Sequence, residues 1–431
     1  MAESKGLTLR EIAHAIGGRL IGKDAEVSHF TQDSREARKG SLFFAIRGER
    51  FDGHDFVRGA FERGAVAAVV ERIPEGVEGS FILVDDTIAA LQRLAGYYRE
   101  KYLKETRIIA IGGAAGKTTT KEMMHRVLSS KYRTYRSPKS YNNHIGVPLT
   151  LLNTPSDARY LILEVGTNHP GEIKSLVDIA RNDYGLLTNI GPEHIEFFGS
   201  EEAIAREESH IFLHAEAGFA RKEDIEKFGK HMILPPQIHH PRSLIEALQE
   251  AERREVGVVF RGIYFPNVAW LENALLVEVA GRFFGIENPM EHLRNFKSES
   301  MRMEMLKIGN LEVINDAYNS NPLSLRALFM SIRPSKANLF VLGDMLELGD
   351  YSEYYHRQMA REMVEMGHRE AVLIGKHMHH FFDEIKDRAE VDYFETVEEA
   401  ISRIKERLRG KQRLILKGSR GIGLERILHH L

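Results

Sequence analysis

The chain has 431 residues, 59 basic against 62 acidic, a formal charge of −3 and no cysteine. That length exceeds one ordinary hydrophobic core and predicts about two to four domains, with roughly three as the starting expectation. Balanced charge without a long basic block argues against a nucleic-acid partner, the missing cysteine excludes disulfides, thiolate metal sites and a cysteine nucleophile, and no run approaches the roughly 18 apolar residues of a membrane span.

The opening "MAESKGLTLREIAHAIGG" has no apolar signal core, so a soluble, cytoplasmic protein is expected. Thr8 followed by Glu11 reads as a capping box that opens a short helix ending at Gly17-Gly18. "GSLFFAI", "AVAAVVE" and "FILVDD" read as strands around a helical "HDFVRGAFERG", a small α/β unit over residues 1–86. "TIAALQRLAGYYREKYLKE" is a helix that bridges to a second unit, residues 87–297. There the apolar strands "RIIAIGG", "YLILEVG" and "YGLLTNIG" alternate with helical stretches, the pattern of a parallel sheet with crossover helices. Residues 201–260 carry less signal, and "ILPPQIHHPRS" within them reads as a loop. From residue 298 onward, "LEVINDAYNSNP", "ANLFVLGDM", "EAVLIG" and "RLILKGS" predict a second doubly wound sheet. The expected architecture is three-domain α/β: a small N-terminal domain, a central parallel-sheet domain with a phosphate loop, and a C-terminal Rossmann-like domain.

Polar residues gather at the carboxyl ends of these strands, the edge where open α/β sheets bind ligands. In "IGGAAGKTTTKE" the strict phosphate-loop pattern fails, because Ile111 stands where a glycine is needed. What remains is a shortened loop, Gly113-Ala114-Ala115-Gly116-Lys117-Thr118, followed by Thr119. Small residues there let backbone N–H groups converge on an anion at a helix N-terminus, while an exposed Lys117 reaches outer phosphates and Thr118 ligates Mg²⁺. A plain glycine turn fits the same letters. Glu164 and His194 follow two other strands and suit a divalent-metal and triphosphate site, yet either is also an ordinary loop residue. Asn142 and Asn143 read as turn formers or ligand donors.

The ordered set "DSREARKGSLFFAIRGERFDGHDF", "GKTTTKE", "NNHIGVPLTLL", "EVGTNHPGEI", "TNIGPEHIEFFGS", "NDAYNSNP", "VLGDMLELGDYSEYYH" and "LKGSRGIGLERI" resembles the Mur ligase family. The resemblance implies an ATP- and Mg²⁺-dependent amide-bond ligase of peptidoglycan synthesis, acting as a monomer. Its substrates would be UDP-N-acetylmuramoyl-tripeptide, held by the first domain, and D-alanyl-D-alanine, held by the third. Carried over by motif, Lys117 serves the phosphates and Thr118, Glu164 and His194 the metals, while Asn273, Arg302, Asp316 and Asn319 contact ATP. Ser34, Arg35, Arg47, Asp52, Gly53 and His54, with Asn142 and Asn143, fall in the UDP-substrate motifs. Asp344, Lys417, Ser419 and Arg420 mark the dipeptide side.

The chain departs from that pattern in its loop, where Gly112-Gly113-Ala114-Ala115 replaces a hydroxyl residue and an asparagine. It also carries Glu208 where the family commonly has a carbamylated lysine, so Glu208 is expected to offer its carboxylate to a second metal. Two further readings remain: a sister ligase that adds a diamino acid, although its "DNPR" signature is missing, and a nucleotide-binding relative that has lost catalysis.

Overall fold

The computed structural model describes residues 7–48, 50–297 and 300–431. Residues 1–6 of the first expected unit, and residue 298 where the third was expected to begin, lie outside the described residues. Three sheets organise the chain. The first has five strands in the order Arg19–Ile21, Phe81–Leu83, Ala65–Val70, Ser41–Phe44 and His29–Thr31, with only the first pair antiparallel. Helix Leu9–Ile16 stands beside it, and the Thr8 side chain accepts from the N–H of Glu11 as the capping box requires. The reciprocal half of the box is absent. The Glu11 carboxylate instead accepts from Tyr97, Lys101 and Tyr102 of helix Thr87–Tyr102, which fastens that helix to the first unit.

The second sheet is parallel throughout, in the order Gln237–His239, Ala217–Phe219, Tyr184–Leu187, Arg107–Gly112, Tyr160–Glu164 and Thr134–Arg136. Its central strands are buried along almost their whole length, which is why they read as unbroken apolar runs instead of alternating ones. The expected loop "ILPPQIHHPRS" holds the edge strand Gln237–His239. Three residues after two prolines are too few to show a strand period, and pairing with Ala217–Phe219 decides their conformation. An antiparallel sheet of Glu252–Arg253, Val258–Phe260 and Ile263–Phe265 completes this unit.

The third sheet runs Glu304–Ile308, Leu311–Asp316, Arg413–Lys417, Asn338–Gly343, Glu370–Ile374 and Glu390–Phe394, parallel except for the first pair. It is docked against the second unit. Gly257 donates its N–H to the Ser331 carbonyl at 2.7 Å, Arg333 donates its own to Glu255, and the Ser331 hydroxyl accepts from the N–H of Val268. The carboxyl ends of the second and third sheets thereby face each other across one cleft.

Candidate active site

Strand Arg107–Gly112 ends in the loop, and helix Lys117–Leu128 begins directly behind it. Gly116 takes φ +85°, and a Cβ there would come within 2.6 Å of the Asn273 side chain, so both conformation and space demand glycine. Three loop N–H groups already have protein acceptors. Gly113 donates to Glu208 Oε2 at 2.5 Å, Ala114 to the Asn189 carbonyl and Ala115 to Asn189 Oδ1. An anion is therefore left with the first turn of the helix, whose N–H groups have no partner within the helix and carry its positive end.

Lys117 is not the exposed loop lysine expected from its neighbours. Its side chain is only 13% exposed, donates to the Gly113 carbonyl at 2.6 Å and lies 3.2 Å from Glu193 Oε2. Burial works against its charge, but Glu193, Glu208 and Glu164 outweigh that and hold its pKa above the ordinary lysine value. Glu164 ends its strand as a buried carboxylate that accepts from Thr118 Oγ1 and Asn142 Nδ2, each at 3.2 Å, and pairs with Lys121 Nζ at 3.1 Å. Asn142, grouped with the UDP motifs, thus engages Glu164 and lines the same cavity. His194 adopts a left-handed φ of +52°, uncommon for a residue with a side chain. Its Nδ1 lies 2.7 Å from Glu347 Oε2 of the third unit. Burial depresses the imidazole's pKa, and Glu347 and Glu193 reverse this to a net rise.

A cavity of about 780 Å³ joins these groups, with Ala114 to Thr119, Glu164, His194 and Asn273 on the central side. Arg302, Asp316, Asn319 and Lys417 line it from the third unit. Arg302 stacks its guanidinium 3.9 Å over the Tyr318 ring, and its buried Nε has no partner among the described residues. Lys417, expected on the dipeptide side, instead pairs with Asp316 Oδ2 at 2.8 Å and donates to the Asn319 carbonyl. Parallel register sets Asp316 beside Lys417, and both line the cavity.

Other expected residues stand outside the cavity. Asp344 accepts from the N–H groups of His377 and Met378 and shapes its own loop, Ser419 accepts from the N–H of Leu346, and Arg420 is exposed. In the first unit, His54 is buried, with Nδ1 2.6 Å from Asp52 Oδ1 and Nε2 accepting from the N–H of Glu71. Both ring nitrogens are engaged, so its role there is to hold the turn. Arg47 approaches Asp52 at 3.6 Å, Gly53 has no room for a Cβ beside the Ile46 carbonyl, and Ser34 and Arg35 form a short turn whose Arg35 pairs with Asp33. Asn143 lines the cavity and accepts from the N–H of Gly146 at the start of helix Gly146–Leu152.

Glu208 also stands apart from the expectation of a metal-facing carboxylate. It is 2% exposed, does not line the cavity, and accepts from the loop backbone. Burial pushes its carboxyl up to about 7, against Lys117 and the Gly113 N–H, which pull it down.

The oxygen donors of Thr118 and Glu164, at the head of a helix and opening on the cavity, suit a hard cation such as Mg²⁺. Among the described residues no group of three or more His, Asp or Glu is gathered closely enough to hold a metal ion. Three contributors escaped sequence reasoning. Lys121 falls four residues after Lys117 on one helix face, a spacing that could have exposed it. Glu193 adjoins His194, and Asn189 lies two residues past strand Tyr184–Leu187, which precedes both; neither carried a signal of its own.

Three family profiles match the chain: "Mur ligase family, catalytic domain" over residues 26–99, "Mur ligase middle domain" over 111–225, and "Mur ligase, glutamate ligase domain" over 301–420. A relative from Bacillus subtilis, UDP-N-acetylmuramoyl-tripeptide--D-alanyl-D-alanine ligase, is 33% identical over 98% of this chain and 98% of the relative. The protein of the same name from Rickettsia prowazekii is 28% identical over 96% and 97%. Among solved structures, MurF from Acinetobacter baumannii superposes with a TM-score of 0.84 at 26% identity, covering 99% of each chain.

Proposed function

This chain belongs to the Mur ligase family, and we propose on that premise that it is an ATP-dependent ligase joining D-alanyl-D-alanine to UDP-N-acetylmuramoyl-tripeptide. The observation that carries the reading is the single cavity that has Lys117, Thr118 and Glu164 on one wall and Arg302, Asp316 and Lys417 on the other. Such a cleft binds a triphosphate between two domains and keeps water from the reacting groups.

The carboxylate of the tripeptide takes the γ-phosphoryl group of ATP and becomes an acyl phosphate, releasing ADP. The amine of the dipeptide then attacks the acyl carbon, and inorganic phosphate leaves as the amide forms. Mg²⁺, held by Thr118 and Glu164, neutralises phosphate charge when bound. Lys117 orients the outer phosphates from the helix head, and Arg302 balances charge from the opposite wall. Phosphoryl transfer asks for positioning and charge more than for covalent help, and these residues supply both. Asn273, which abuts Gly116 and lines the cavity, contacts the nucleotide from the central domain in this reading.

Residues 1–86 hold the UDP-sugar peptide, residues 87–297 the nucleotide, and residues 298–431 the dipeptide. The enzyme acts in the cytoplasm as a monomer; among the described residues no helix is long and apolar enough to cross a membrane. The test is phosphate release and product mass with ATP, Mg²⁺, the tripeptide nucleotide and D-alanyl-D-alanine, each omitted in turn. Turnover that requires all of them is expected. ATP binding without turnover on any combination of UDP-muramoyl peptide and amine would favour a relative that has lost catalysis.

A further inference from the structure

We propose that Glu208 is the positioning residue of the phosphate loop, and that residue 112 is glycine because the Glu208 carboxylate occupies the space of its side chain. The proposal rests on residues 113–118 being a phosphate loop. Gly112 ends a strand in register with Leu187 and is not among the residues with positive φ, so its backbone would accept any residue. Space is the constraint: any Cβ there must displace a side chain. A Cβ at Gly112 would lie 2.8 Å from Glu208 Oε2 and 3.0 Å from Ile211 Cγ2. The same Oε2 accepts from the N–H of Gly113 at 2.5 Å, so one buried carboxylate oxygen touches both residues at the root of the loop.

Its neighbour does the same for a second loop. Glu207, 4% exposed, accepts from the N–H groups of Gly171 and Ile173 at 2.9 and 2.8 Å. These lie just beyond the Gly166–Asn168 stretch that lines the cavity after Glu164. Two consecutive carboxylates at the end of helix Glu201–Glu208 therefore pin two ligand-bearing loops from beneath. The loop's small residues, Ala114 and Ala115, contribute no polar side chain of their own, and Glu208 below with Asn189 beside them provides the fixed acceptors instead.

The closing experiment is a double-mutant cycle on the full chain, read both as ATP affinity by calorimetry and as hydrogen exchange of the amides at 113–115. Gly112→Ala should weaken ATP binding about tenfold, the size of one lost buried hydrogen bond. Glu208→Ala should do likewise, and the double variant should be no worse than either single one, because the clash and the bond it breaks share one atom. Glu208→Gln, which keeps an acceptor in the same place, should stay within about threefold of wild type, and Glu207→Ala should show no coupling to Gly112→Ala. Wild-type affinity and exchange in Gly112→Ala, or losses that simply add in the double variant, would overturn the proposal. If wild type bound no ATP, the functional reading would fall, and the exchange cycle would still decide the Glu208–Gly112 pair.

Discussion

Lys121 offers the sharpest perturbation, because its charge is wholly buried and its partner is the carboxylate assigned to the metal. It sits one turn beyond Lys117, has no solvent exposure, and places Nζ 3.1 Å from Glu164 Oε2 and 3.7 Å from Glu122 Oε1, while also donating to the Lys139 carbonyl. At 3.1 Å and an effective dielectric of about 20, two unit charges attract by about 5 kcal/mol. Removing one partner of a buried pair costs about 3–5 kcal/mol, chiefly through the charge left stranded. Thr118 and Asn142 still donate to Glu164, which moves the expectation for Lys121→Met toward the lower end, about 3 kcal/mol. Lys121→Met/Glu164→Gln should recover most of that, since no stranded charge remains. Mg²⁺ with ATP should partly restore the single variant, because a cation beside Glu164 substitutes for the missing ammonium. Urea unfolding of wild type, both single variants and the double at neutral pH, with and without Mg²⁺ and ATP, measures each quantity. A loss below about 1 kcal/mol in Lys121→Met, or a double variant whose losses add, would refute the account of Glu164 as a carboxylate balanced from behind by Lys121.

Lys117→Met should lower ligation by about 10²-fold or more in steady-state assays, since it removes the cation at the head of the helix. It should also change stability, because Glu193 lies 3.2 Å away and loses its counter-charge. His356 in the third unit is buried with Nδ1 bonded to the Ser352 carbonyl and Nε2 accepting from the N–H of Met345, and burial depresses its pKa from 6.5 to about 4. The unfolded chain therefore takes up a proton first: the contribution of His356 is complete above pH 6.5 and is lost as pH falls toward 4, about 3 kcal/mol in all. His356→Gln should flatten that acid limb, checked by urea titrations at pH 7 and 4.5; an unchanged slope would place the acid sensitivity elsewhere.

The central strands of the two large sheets could be read directly because they are covered on both sides, as in "RIIAIGG" and "RLILKGS", whereas the half-exposed outer strands Thr134–Arg136, Glu304–Ile308 and Glu390–Phe394 gave no such run. The polar clusters at the carboxyl ends of the central sheet followed from the same reading, and with them Lys117, Thr118, Glu164 and His194 as groups meeting at one edge, whereas Asp316, on the third sheet, came only with the motif resemblance. Gln237–His239 and the antiparallel sheet of residues 252–265 carried no comparable signal, since segments of two or three residues owe their conformation to the partner strand.

What the chain determines by itself is local: where apolar runs start and stop, where glycine lets the backbone turn, and which residue types stand at each strand end. Which atoms those residues engage is decided by packing between segments far apart in sequence. Glu208 reads as one more glutamate on a charged helix, yet the fold buries it against Gly112 and Gly113, 95 residues from its hydrogen-bond donor. Lys417 reads as part of a distant glycine-rich motif, yet parallel register sets it beside Asp316. Burial and pairing over such separations depend on the whole set of contacts, and no window of sequence contains them.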